Sequence, residues 1–243
     1  MNRLYVPTFG PTDWRRLLKD PVKHWKRHQS ALEIAVSWEA AKHSERGLPP
    51  EVAATIDSVQ ELAGSFLLLG FPEHQVEFEG GGHNSQNDLW ALLRTGERFT
   101  SMAVEAKAGE PLDNIVSDWL AIKTRGQSDK PLRLKALQKD LGIENADVSA
   151  VRYQLLHRTA SALREAQRFS AHYAVALVQS FNEEKDKRSW QDLVTFCSHM
   201  RCEPTQGRLV RVGSPTSIPL YIGWVACSTA TFVTLGAAVE AKP

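Results

Sequence analysis

The segment Ser101 to Glu110, SMAVEAKAGE, sets a glutamate and a lysine two residues apart inside a short apolar run. In an extended strand residues i and i+2 share a face. Ser101, Ala103, Glu105 and Lys107 then point one way, and Met102, Val104 and Ala106 point into the core. The preceding segment, NDLWALLRTG, carries Asp88 near one end. Paired as a hairpin, the two segments bring Asp88 up to Glu105. Two carboxylates held close repel each other and raise a pKa unless a cation joins them. A hard divalent metal does so through oxygen ligands. It also polarises a phosphate and lowers the pKa of a bound water. Lys107 is placed to orient or activate that water. The plainer alternative is a cross-strand ion pair between Glu105 and Lys107 on an exposed sheet face, and a lone E-x-K pattern does not separate the two.

The elements that must position these groups are legible from periodicity. Residues 12–45 read as helix interrupted at Pro21, with Trp25, Leu32, Val36 and Trp38 at a roughly helical period. GLPPE breaks the chain, and EVAATIDSVQELAGSFLLLG is expected as one helix ended by Gly70 and Pro72. The period then changes to two. HQVEFEG, NDLWALLRTG and FTSMAVEAKAG read as three successive strands, with the loop GGGHNSQ after the first and a turn at Thr95-Gly96 after the second. Residues 111–147 form a helical insertion of two pieces. SAVRYQLLHRTASALREAQRF is a long helix, AHYAVALVQSF a buried strand and RSWQDLVTFCSHM a helix, and RLVRVG and PLYIGWVAC add strands. The class is α/β, a mixed central sheet flanked by helices. Residues 1–50 are a helical region packing on a core of residues 51–243.

With this order of elements, the string Asp88 … Glu105-Ala106-Lys107 resembles the D…(D/E)-x-K signature of the PD-(D/E)XK nuclease superfamily. The order of helix, three-strand meander, helix and strand is similar to that restriction-endonuclease-like core. The resemblance implies that Asp88, Glu105 and the backbone carbonyl of Ala106 bind Mg²⁺, or Mn²⁺ in its place, and that Lys107 serves the attacking water. The superfamily's leading proline is replaced by Asn87. An acidic residue of the first core helix often completes such sites; Glu61 is the expected one, with Glu39 and Glu33 as alternatives. The implied activity is metal-dependent phosphodiester hydrolysis of nucleic acid, DNA before RNA. A catalytically silent nuclease fold that binds nucleic acid or a protein partner is the alternative. The blocks GGGHNSQNDL, VEAKAGEPL and RYQLLHRTASALREAQRF together also resemble an uncharacterised bacterial family, over roughly residues 30–200.

Tyr153, Gln154, His157, Arg158 and Ser161 recur at spacings of three and four and cover one helix face. In several branches of the superfamily a Gln and a basic or aromatic residue here face the active site. Gln154 and Arg158 are thus expected to bind substrate, and His157 to contact phosphate or carry a proton. The alternative is a polar face bonded to the insertion. GGGH is a hairpin loop or a backbone phosphate cradle, and His83 a minor candidate ligand. KHWKRH, Lys23 to His28, is a solvated helix face or a nucleic-acid patch.

Composition narrows the partners. With 29 Lys+Arg against 28 Asp+Glu the chain has a formal charge of +1, so no global field draws in nucleic acid and any contact must be local. The three cysteines, Cys197, Cys202 and Cys227, complete neither a zinc site nor a disulfide framework. They suit a reducing cytosol, and a cytoplasmic location is expected. The N-terminus lacks an apolar segment of signal-peptide length. Gly213 to Val239 holds no charge but contains Pro215, Pro219, Gly223 and many Ser/Thr. It reads as a buried strand and a small-residue segment rather than a membrane span. A homodimer is a further expectation.

Overall fold

The computed structural model describes residues 8–123 and 129–228. A 3-10 turn at Pro11–Leu17 leads to α1 (Pro21–His24), α2 (Ser30–Ala41) and α3 (Pro50–Ile56). A second 3-10 turn, Gln60–Leu62, precedes β1 (Phe66–Val76), β2 (Ser85–Thr95) and β3 (Arg98–Lys107). The insertion supplies α4 (Val116–Ala121) and α5 (Lys130–Leu141). Then come α6 (Tyr153–Arg168), β4 (Tyr173–Ser180), α7 (Glu183–His199), β5 (Leu209–Val212) and β6 (Leu220–Ala226). The six strands form one mixed sheet in the order β1-β2-β3-β4-β6-β5. β1, β2 and β3 are an antiparallel meander, β3, β4 and β6 run parallel, and β5 is antiparallel to β6.

Strand alternation divides the core into two layers. Tyr173, Val175 and Leu177 of β4 meet Ile34, Trp38, Val52 and Ile56 of α2 and α3 on one face. Ala174, Ala176 and Val178 meet Leu156, Ala160 and Leu163 of α6 and Phe196 of α7 on the other. Small residues on both sides of that second interface let α6 lie close on β3 and β4. Each buried Leu or Val side chain contributes about 1.5–3 kcal/mol, and a larger side chain at Ala160 or Ala174 would cost about 1–3 kcal/mol through overpacking. Trp38 crosses the first layer and donates its indole N–H to Gln179 of β4 at 3.0 Å. Among the described residues no helix is long and apolar enough to cross a membrane. The small-residue segment expected after β6 lies outside the described residues.

One expected element is corrected. The helix over residues 51–70 is only α3 and the 3-10 turn, and Phe66 onward is strand. The apolar run FLLLGF fits a buried helix or a buried strand equally by period. What decides is that it pairs with β2 from Phe66↔Arg94 to Val76↔Ser85. Pro72 is tolerated because β1 is an edge strand. The expected strand at HQVEFEG is therefore only the end of β1, which stops at Val76.

Candidate functional site

The strand register explains how acids from distant parts of the chain meet. Pro72↔Leu89 and His74↔Asn87 bracket Glu73 opposite Asp88, and Leu89↔Val104 continues by one residue to set Asp88 opposite Glu105. Glu73, Asp88 and Glu105 thus form a row across β1, β2 and β3. The row lies near the carboxyl ends of the parallel strands, where open α/β sheets place ligands. It forms the floor of a cleft of ≈ 570 Å³, also lined by Lys107, Gln86, Gln154 and Arg158. Glu73 has a left-handed backbone, φ 54, a conformation that costs a non-glycine residue free energy and concentrates at functional positions.

Glu105 is buried and held by three donors. Lys107 Nζ and Gln154 Nε2 donate to Oε1 at 2.8 and 2.6 Å, and Arg158 Nε donates to Oε2 at 2.5 Å. Gln154 and Arg158 are four residues apart and share the α6 face turned to β3. Gln154 is oriented by the Asp113 N–H, which donates to its Oε1 at 3.1 Å. Burial alone would raise the Glu105 pKa, but the Lys107 and Arg158 charges outweigh it and hold the carboxyl below its usual range. Burial opposes the charge on Lys107 too, yet Glu105 and Asp88 raise its pKa, so the ammonium keeps its proton.

Asp88 and Glu73 stand in the opposite condition. Asp88 accepts one N–H, from Ala106 at 2.7 Å. Burial and the charge of Glu105 push its pKa up to about 7. Glu73 accepts from Gln86 Nε2 at 2.7 Å. Burial and Asp88 push it up to about 8. The row brings three carboxylates against two fixed cations, so a proton or another cation must make up the balance.

His157 lies behind this floor rather than in it. Ser85 Oγ lies 2.7 Å from His157 Nδ1 and accepts from Arg158 Nη1 at 3.1 Å and from Ser161 Oγ at 3.0 Å. Arg158 Nη1 also donates to His157 Nδ1 at 3.2 Å. Burial and the neighbouring Arg158 hold the His157 pKa well below its usual value. The ring is neutral and buttresses Arg158; it does not line the cleft and is not placed to touch phosphate. Tyr153 likewise turns away and stacks on Trp119 of α4, centroids 3.9 Å apart.

The structure brings together Asp88, Glu105, Ala106, Lys107, Gln154 and Arg158, and leaves the expected helical glutamates outside. Glu61 is exposed on the second 3-10 turn. β1 begins opposite Arg94, six residues or about 20 Å along the sheet from Asp88. Glu39 accepts from Trp14 Nε1 at 2.8 Å and pairs with Lys42. Glu33 accepts the His28 N–H at 3.0 Å, and burial with Glu110 nearby pushes its pKa up to about 7. Neither lines the cleft. The missed acid is Glu73, which the periodicity of GFPEHQV does not reveal. The glycine loop packs on the insertion instead of a cleft: a Cβ at Gly80 would collide with the Asp129 carbonyl, and Arg133 Nη1 donates to the Gly81 carbonyl at 2.9 Å. His83 is exposed and is no part of the cleft.

Among the described residues no three His, Cys, Asp or Glu side chains converge as a ready-made metal shell. The chemistry of the donor set nevertheless fits a hard divalent cation, which takes carboxylate and carbonyl oxygens. Glu73 and Asp88 are adjacent and short of positive charge. An ionised carboxylate offers about four lone-pair sites; three of Glu105's are taken, so one is left. Ala106 gives its N–H to Asp88 beyond the last β2–β3 pair, and an extended residue turns its carbonyl to the same edge.

A family model described as a domain of unknown function (DUF6946) matches residues 7–229. No curated protein and no solved structure matches the chain.

Proposed function

The chain belongs to the DUF6946 family, and from that premise we propose that its cleft is the active site of a divalent-metal-dependent phosphodiesterase acting on nucleic acid, DNA first, on a PD-(D/E)XK-type core. The observation that carries this reading is the row Glu73, Asp88 and Glu105 with Lys107 beside it, on the floor of an open cleft. The helix, meander, helix and parallel-strand order around it supports the same reading.

Asp88, Glu73, the Ala106 carbonyl and the remaining Glu105 site would hold Mg²⁺ or Mn²⁺. When bound, the ion supplies charge for the phosphoryl oxygens and acidifies a water. The chain's own groups do the rest. Lys107 keeps its proton, so it acts as a fixed charge and hydrogen-bond donor to the attacking water and the developing oxyanion, and not as a base. Arg158 adds a second fixed charge, with its plane set by Glu105, Ser85 and His157. Gln154 fixes the Glu105 carboxylate and is itself fixed by the Asp113 N–H.

One observation favours a catalytically silent nuclease fold instead: the Lys107 and Arg158 charges already compensate that of Glu105. The two readings part on one assay. Labelled DNA and RNA are incubated with the protein in Mg²⁺ or Mn²⁺ and in EDTA. Hydrolysis is expected with metal, reduced about 10²-fold or more in Lys107→Ala and Asp88→Asn. No cleavage of any substrate by a folded, metal-binding wild type would sink the hydrolytic reading.

A further inference from the structure

The cleft has a second wall that the acidic floor does not explain. Lys19, Lys23 and His24, from the end of the first 3-10 turn through α1, line it. All three side chains are exposed, and neither lysine has a carboxylate partner among the described residues. Most other basic groups of the cleft are spent, since Lys107 and Arg158 are bound to Glu105. Glu110 of the loop after β3 fixes the start of α2, the helix that follows this wall in the chain. Its Oε1 accepts the Ser30 N–H at the start of α2 at 2.8 Å, and its Oε2 accepts the Ala108 N–H at 2.8 Å. Trp25, the aromatic inside KHWKRH, packs against the core and anchors the same segment. The chain thus fixes unpaired positive charge across the cleft from the row of acids.

Size limits what passes between the two walls. A cleft of ≈ 570 Å³ is of the size that encloses a small ligand, about 300–1,000 Å³. One strand with one or two nucleotides fits; an intact duplex does not, and enzymes with confined sites act on single strands or extruded nucleotides. We infer that Lys19, Lys23 and His24 form a phosphate-binding wall that admits a single strand of nucleic acid, DNA or RNA, and excludes duplex. This rests on the cleft being a phosphodiester site.

The test is fluorescence anisotropy with a short labelled single strand, as DNA and as RNA, and with the DNA annealed to its complement. Wild type is compared with Lys19→Glu/Lys23→Glu and with the neutral pair Lys19→Gln/Lys23→Gln, in EDTA and in Mg²⁺, with cleavage read on the same samples. Single strands should bind at least about tenfold tighter than duplex. Charge reversal should weaken single-strand binding at least about tenfold, the neutral pair less, with the melting temperature unchanged. Neutralising two phosphate contacts should flatten the log–log salt slope by about 1.4. Equal or tighter duplex binding, or no effect of charge reversal, overturns the inference even if the wild type cleaves. Single-strand preference lost on charge reversal, without cleavage in any metal, upholds the wall and overturns hydrolysis alone. A wild type that binds no oligonucleotide overturns the inference outright.

Discussion

Asp186 and Asp88 are both aspartates near the carboxyl ends of the central strands, and they are treated in opposite ways. Asp186 is fully buried, and each of its oxygens meets a neutral donor. Gly109 N–H gives 2.7 Å to Oδ1, and Ser180 Oγ gives 2.6 Å to Oδ2. It pins the loop after β3 to the start of α7. Asp88 has one N–H, a second carboxylate on each side, and a pKa pushed up to about 7. A carboxylate that only holds the fold together is given donors. One left short of positive charge beside a cleft costs stability, and the proposed metal site gives that cost a use.

That contrast can be broken by substitution, from large effects to small. Glu105→Ala leaves the Lys107 and Arg158 charges buried without a partner, and should destabilise by about 3–5 kcal/mol in urea unfolding. A negligible loss would mean that the cluster is more hydrated than its burial implies. Asp186→Ala orphans the Gly109 and Ser180 donors and should cost about 2–3 kcal/mol in the same assay. Asp88→Asn should do the reverse. Its folded pKa lies above the unfolded value of 3.8, so the native state binds the proton more tightly. The electrostatic penalty starts as pH rises above about 4 and is complete above about 7. One pKa unit corresponds to about 1.4 kcal/mol. Allowing for screening in the cleft, Asp88→Asn should stabilise metal-free protein by about 1–2 kcal/mol at pH 8, and by little at pH 4. Glu73→Gln should act in the same direction, over a window reaching about pH 8. Glu110→Gln should be mildest, about 1 kcal/mol, with proteolysis increased near α1 rather than globally.

The sequence carried the half of the site that sits on strongly patterned elements. β2, β3, α6 and β4 are set by alternation or by helical period, so Asp88, Glu105, Lys107, Gln154 and Arg158 are legible as one group, but the bonds from Gln154 and Arg158 to Glu105 are not. Glu73 is not legible either. It lies on a strand whose apolar start reads equally well as helix, and a left-handed residue in a strand has no period to reveal it. Glu61 is the expected acid on a helix that runs to Gly70 just before the first strand; once Phe66 starts β1, Glu61 is at the far end of the sheet. His157 shares a helix stripe with Arg158, but spacing alone does not separate the side chain that reaches the cleft from the one that braces it. Burial does.

We propose that Glu73 and Asp88 hold the divalent cation of the cleft. Isothermal calorimetry of Mn²⁺ and Mg²⁺ at pH 8, on wild type and on Glu73→Gln/Asp88→Asn, tests it directly. One saturable site is expected in the wild type, its binding releasing protons near neutral pH, and its loss is expected in a double variant that melts at a higher temperature than the metal-free wild type. Metal binding of equal strength in both proteins, or none in a folded wild type with short single-stranded oligonucleotide added, would contradict it.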